Sequence, residues 1–149
     1  MQWKPNVTVA ALVKDENDRF LMVEEESSTG LVYNQPAGHL EHGESLIDAV
    51  RREVMEETAY QFEPEYILGV YMYPNRAKEL TYMRVAFYGH VLSHYPEQAL
   101  DDGIVQALWM TRHELLEQPD KLRSIMVMKT IDDYLAGKSY PLDLLSYSP

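Results

Sequence analysis

The amino-acid sequence predicts a mixed α/β or α+β domain, and three observations carry that prediction. Apolar, β-branched runs dominate the first two-thirds of the chain. One segment with helical spacing, residues 45–58, interrupts them. Two further helical segments follow the last strand-like run.

The elements follow in chain order. Residues 7–13 (VTVAALV) read as a buried strand, DEND at 15–18 as a turn, and 19–25 (RFLMVEE) as the returning strand of a β-hairpin. A loop at 27–30 leads into a short extended piece punctuated by Pro36, Gly38 and Gly43. The helix at 45–58 starts at Ser45 as N-cap, with Asp48 three positions on. Leu46, Ala49, Val50 and Val54 form its apolar stripe. Residues 65–74 and 82–92 read as two paired strands, and 104–110 as another. Residues 111–122 open with a helix capped by Thr111 and Glu114, and 124–137 form a helix ending at Gly137. Met22, Met126 and Met128 are expected in the core, and the tail from Ser139 is expected to be irregular.

At 149 residues the chain is expected to be one domain, residues 1–149. It has no cysteine, which excludes a disulfide scaffold, a thiolate metal site and a cysteine nucleophile. No apolar window approaches a membrane span, and the N-terminus lacks a cleavage pattern, so the expected location is cytoplasmic. A net charge of -11 argues against a nucleic-acid or membrane partner bound through a basic face. An acidic protein can still handle a phosphorylated ligand where a metal ion reverses the local charge.

Glu53, Glu56 and Glu57 stand three and four apart, so their carboxylates converge on one helix face. Such a cluster is either a solvated, salt-bridged face or a seat for a hard cation such as Mg²⁺ or Mn²⁺, which prefers oxygen ligands. The context separates these. Gly38 is followed at fixed spacing by Glu44, Arg52, Glu53, Glu56 and Glu57, within GHLEHGESLIDAVRREVMEETAY.

This segment, 38–60, resembles the signature of the Nudix hydrolases, Gly-x5-Glu-x7-Arg-Glu-aliphatic-x-Glu-Glu-x-Gly-aliphatic. Two positions depart from it: Ala59 replaces the final glycine and Tyr60 an aliphatic residue. The resemblance implies an α/β/α sandwich with a mixed sheet, the signature forming a loop–helix–loop. It implies Glu53 and Glu57 as the principal Mg²⁺ ligands, with Glu56 and the Gly38 carbonyl joining them and Mn²⁺ able to substitute. It also implies that Glu53 orients or deprotonates the attacking water, that Arg52 holds the glutamates, and that Glu44 supports the loop. Many members add a carboxylate from outside the signature. Glu97, Asp101 and Asp102 are the candidates here, with Asp102 favoured.

Substrate contacts are expected from Tyr33, Asn34 and Gln35, which precede the metal loop, and from Arg84, which sits alone among apolar residues in YMRVAF. Arg76 and Lys78 are weaker candidates for a phosphate. His39 and His42 flank Gly38, but a hard cation disfavours them as ligands. KPNVTVAALV, LVYNQPAGHLE and KSYPLDLL extend the resemblance to a subfamily of small bacterial phosphatases. The likeness implies an Mg²⁺-dependent hydrolase, monomeric or homodimeric, of nucleoside tri- and diphosphates and of a hydroxymethylpyrimidine pyrophosphate. The alternatives are another pyrophosphate substrate, such as a dinucleoside polyphosphate or sugar nucleotide, or a silent nucleotide-sensing domain.

Overall fold

The computed structural model describes residues 2–149 and contains seven strands, three α-helices and short 3-10 turns among them. In chain order these are β1 (Asn6–Leu12), β2 (Arg19–Ser27), β3 (Gly30–Asn34), β4 (Ala37–His39), α1 (Leu46–Thr58), β5 (Tyr60–Asn75), β6 (Leu80–His94), β7 (Ile104–Thr111), α2 (Arg112–Leu116) and α3 (Met126–Leu135).

The strands form two sheets, one ordered β4-β1-β6-β5 and one ordered β3-β2-β7. The first is mixed: β1 runs parallel to β6 and antiparallel to β4, and β5 is antiparallel to β6. Alternation along β1 shows the layering. Val9 and Ala11 pack with Ala49, Val50 and Val54 of α1. Ala10 and Leu12, on the other face, pack with Val127 and Ile131 of α3. The result is an α/β/α sandwich, as the signature implies. Val50 and Val54 are fully buried, each contributing about 1.5–3 kcal/mol by leaving water.

Two expectations about elements change. The hairpin at 7–25 survives only at its turn, through Val13–Leu21 and Asp15–Arg19 backbone bonds. Beyond it β1 and β2 diverge into different sheets, because β1 takes β4 and β6 as neighbours while β2 takes β3 and β7. The helix that opens residues 111–122 is Arg112–Leu116, with the complete Thr111–Glu114 capping box. Pro119 follows and opens a 3-10 turn. The tail is partly ordered: Tyr140 bridges to Ile67, and Leu142 and Leu145 pack on the α1-side core. Met22 and Met126 are buried, and Met128 packs partly against the α3-side core.

Candidate active site

The acidic helix is held at both ends. Ser45 caps it, its hydroxyl accepting from Asp48 N at 3.0 Å. At the other end Ala59 takes the left-handed conformation, φ 60°, and donates to Met55 O. A glycine would adopt that conformation without cost. Tyr60 replaces an aliphatic residue by stacking on His94 at 4.0 Å and receiving Trp109 Nε1 at 3.4 Å.

Carbonyls of this helix end fasten the loop after β6. Tyr95 N donates to Ala59 O, Gln98 Nε2 to Met55 O, and Asp101 N to Glu56 O at 2.9 Å. Asp101 thereby comes to the carboxylate face. Glu53, Glu56 and Asp101 each present an oxygen, all within 4.8 Å of one another. Asp102, the favoured extra carboxylate, is outside that group. The backbone bond at Asp101 selects its neighbour instead, and Glu97 is outside the group as well.

Arg52 organises the cluster. Its Nε and Nη2 meet both oxygens of Glu44, at 3.0 and 2.7 Å, while Nη1 donates to Glu53 Oε1 at 2.7 Å and lies near Glu56. Nη2 also donates to His39 O, and Glu44 Oε1 accepts from Glu41 N, which ties helix to loop. The Arg52 guanidinium holds the Glu44 carboxyl below its usual range, the bond from Glu41 N adding to the effect. A side chain at Gly38 would overlap the Glu53 carboxylate, so this position needs glycine for close approach.

Glu53 and Glu57 are both buried, at 7% exposure. Burial raises the Glu53 carboxyl against the opposing pull of Arg52. Burial pushes Glu57 further, to about 8, with only the N–H of Ala37 donating to it at 2.9 Å. Of these two buried carboxylates only Glu53 has a cation, Arg52, beside it, and the close-set oxygen donors fit a divalent cation. The imidazoles of His39 and His42 are outside the cluster.

A cleft of about 990 Å³ opens from this acidic end. Glu53, Glu57, Gly38 and Asp101 line one side, and Arg84, Arg76, Lys78 and Arg123 also line it. Of the expected substrate contacts, Arg84 and Asn34 line the cleft, whereas Tyr33 and Gln35 do not. Tyr33 packs into the α3-side core with Lys121 over its ring. Gln35 is fully buried, donating to Val127 O and accepting from Arg84 Nη2, both at 2.8 Å. Gln35 therefore holds Arg84 in place. Period-two alternation past β3 is the signal that separates Asn34 from its neighbours. Thr8, which also lines the cleft, escaped the sequence reading. Its signal is a hydroxyl inside the otherwise apolar run VTVAALV.

The family model of the NUDIX domain matches residues 4–129. The chain belongs to the NUDIX family. Among curated proteins it is 35% identical over 145 residues to phosphatase NudJ of Escherichia coli K12, covering 96% of this chain and 92% of that one. Among solved structures it is similar to a NUDIX hydrolase from Nitrosomonas europaea, at 47% identity and a TM-score of 0.94, covering 97% and 98% of the two chains. The fold is also that of a bifunctional NMN adenylyltransferase/ADP ribose pyrophosphatase from Francisella tularensis complexed with AMP and a manganese ion. That likeness has 23% identity and a TM-score of 0.72, over 91% of this chain and 42% of the other. The NUDIX chain described here is a hydrolase of phosphoanhydride bonds. No helix among its described residues is long and apolar enough to cross a membrane.

Proposed function

We propose that this NUDIX enzyme is an Mg²⁺-dependent hydrolase of nucleoside tri- and diphosphates, and of pyrimidine pyrophosphates such as that of hydroxymethylpyrimidine. The observation that carries the reading is the meeting of Glu53, Glu56 and Asp101, with buried Glu57 beside them, at one end of a cleft that also bears Arg84. Its likeness to an Escherichia coli phosphatase over 96% of the chain supports it.

Glu53, Glu56, Glu57 and Asp101 would hold the cation, with the Gly38 carbonyl as a further candidate oxygen. When bound, Mg²⁺, or Mn²⁺ in its place, lowers the pKa of water and offsets phosphate charge. The remaining work belongs to the chain. Glu53 accepts the proton of the attacking water from its buried position beside Arg52. The water oxygen forms the new bond to phosphorus. The anhydride P–O bond breaks, and its electrons leave on the departing phosphate. Arg52 keeps Glu53 in one orientation through the 2.7 Å bond and is itself anchored by Glu44.

A panel of nucleoside diphosphates, triphosphates and pyrimidine pyrophosphates, assayed separately for phosphate and pyrophosphate, tests the reading. The expected result is Mg²⁺-dependent release of phosphate in successive steps. Exclusive release of pyrophosphate, or turnover confined to dinucleoside polyphosphates or sugar nucleotides, would replace it with another NUDIX specificity.

A further inference from the structure

Among the described residues, the buried side-chain polar atoms without a hydrogen-bond partner are Thr8 Oγ1, Asn34 Oδ1 and Arg84 Nε. All three residues line the same cleft. Each is at least nine-tenths buried, at 8%, 9% and 3% exposure. Folded proteins pair nearly all such atoms, and each one left alone costs about 1–3 kcal/mol. Their coincidence in one cleft marks bonds that a ligand completes.

Sheet register shows how they are arranged. Thr8 of β1 stands opposite Arg84 of β6, which stands opposite Tyr71 of β5. Two residues along, on the same face, Tyr82 stands opposite Tyr73. Those two rings stack at 5.3 Å and 26°, and both line the cleft. The floor is polar and carries an aromatic pair next to it.

The hydrogen-bonding roles are constrained. Asn34 Nδ2 faces Glu25 Oε1 at 3.3 Å. An ionised carboxylate only accepts, so the amide is oriented with Oδ1 left free as an acceptor. Arg84 spends Nη2 on Gln35 and leaves Nε–H as a free donor. Thr8 can act either way. The complementary ligand carries an acceptor and a donor together. An ionised phosphate carries acceptors alone and would set an oxygen against Asn34 Oδ1. The edge of a planar heterocycle, with a carbonyl or ring nitrogen beside an N–H, offers both, and its face suits the tyrosine pair.

We propose that Thr8, Asn34 and Arg84, with Tyr73 and Tyr82, form the subsite that recognises the heterocycle of the substrate, Gln35 serving as the positioning residue for Arg84. This rests on the hydrolase reading only for what else is attached to the ring.

The test has two arms. In the first, metal-free protein is titrated calorimetrically with uridine, cytidine, adenosine and guanosine. At least one nucleoside should bind the wild type. Thr8→Val, which keeps the side-chain volume, and Asn34→Leu should each weaken it about tenfold or more, because each leaves a ligand group unpaired. In the second arm, kcat/KM with Mg²⁺ is compared between the matching nucleoside diphosphate and inorganic tripolyphosphate. The ratio should fall about tenfold in either variant.

Absence of nucleoside binding to the wild type overturns the proposal, whether or not tripolyphosphate is hydrolysed. Equal losses on both substrates overturn it as well, because they assign the three residues to phosphate. Nucleoside binding that both variants weaken, without turnover of any phosphoanhydride, upholds the subsite and sinks the hydrolase reading instead.

Discussion

The backbone N–H of Asp101 donates to the carbonyl of Glu56 at 2.9 Å, joining the loop after β6 to the last turn of the acidic helix. One bond thus satisfies an orphan carbonyl of α1 and brings the Asp101 carboxylate to Glu53 and Glu56. Asp101→Asn should lower turnover by about 10–100-fold and raise the Mg²⁺ concentration needed for half-maximal rate. Asp102→Asn should change neither. A metal titration of the two variants side by side checks this, and equal effects would break the assignment.

Arg52 and Glu44 act as one unit through their two-pronged pair. Lysine cannot reproduce that fork. Arg52→Lys should therefore cost about 10–100-fold in kcat, with Glu44→Gln similar. The double variant should be little worse than either single one, because both remove the same support. Strictly additive losses in a double-mutant cycle would show that the pair is not the means of support.

The buried Glu57 carboxyl makes metal-free stability fall with pH. Its folded value of about 8 lies above the ordinary 4.5 of an unfolded chain. The folded state thus holds a proton that the unfolded chain gives up. This contribution is complete below about 4.5 and is lost as pH rises through about 8. Glu53, also raised, adds in the same direction. Thermal midpoints of the metal-free protein should drop between pH 5 and 9, and Glu57→Gln should flatten the slope. Mg²⁺ should stabilise more at the alkaline end, where the carboxylates are ionised. A flat profile in the metal-free wild type would contradict the burial effect.

Ala59 occupies the left-handed position where the signature has glycine. Glycine relieves strain there, but loses a buried methyl and adds entropy to the unfolded chain, each worth about 0.5–1 kcal/mol. Ala59→Gly should shift the thermal midpoint by less than about 4 °C and leave kcat alone. A large loss of activity would mean that the helix end matters to the carboxylates more than its contacts suggest.

The acidic helix was legible in the sequence because its cap, its apolar stripe and its carboxylates all follow from local spacing. Sheet partners were not. β1 and β2 look like a hairpin because the turn between them is real, yet each finds more strand to pair with elsewhere. The acidic segment 97–102 was legible as a place for a further carboxylate, while which of Asp101 and Asp102 comes near Glu53 and Glu56 depended on a tertiary bond. Proximity to the metal loop predicts that Tyr33 and Gln35 meet the substrate. They turn inward, to the α3-side core and to Val127 O, and only Asn34 between them faces the cleft.

Glu53 is central, since it touches Arg52, closes on Gly38 and belongs to the acidic cluster. The most direct test is phosphate release from a nucleoside diphosphate by the wild type and by Glu53→Gln, each with Mg²⁺ and with a chelator. The account predicts turnover by the wild type that needs Mg²⁺, and a loss of about 100-fold or more in the variant. Full turnover by Glu53→Gln, or a wild-type rate that survives chelation, would contradict it.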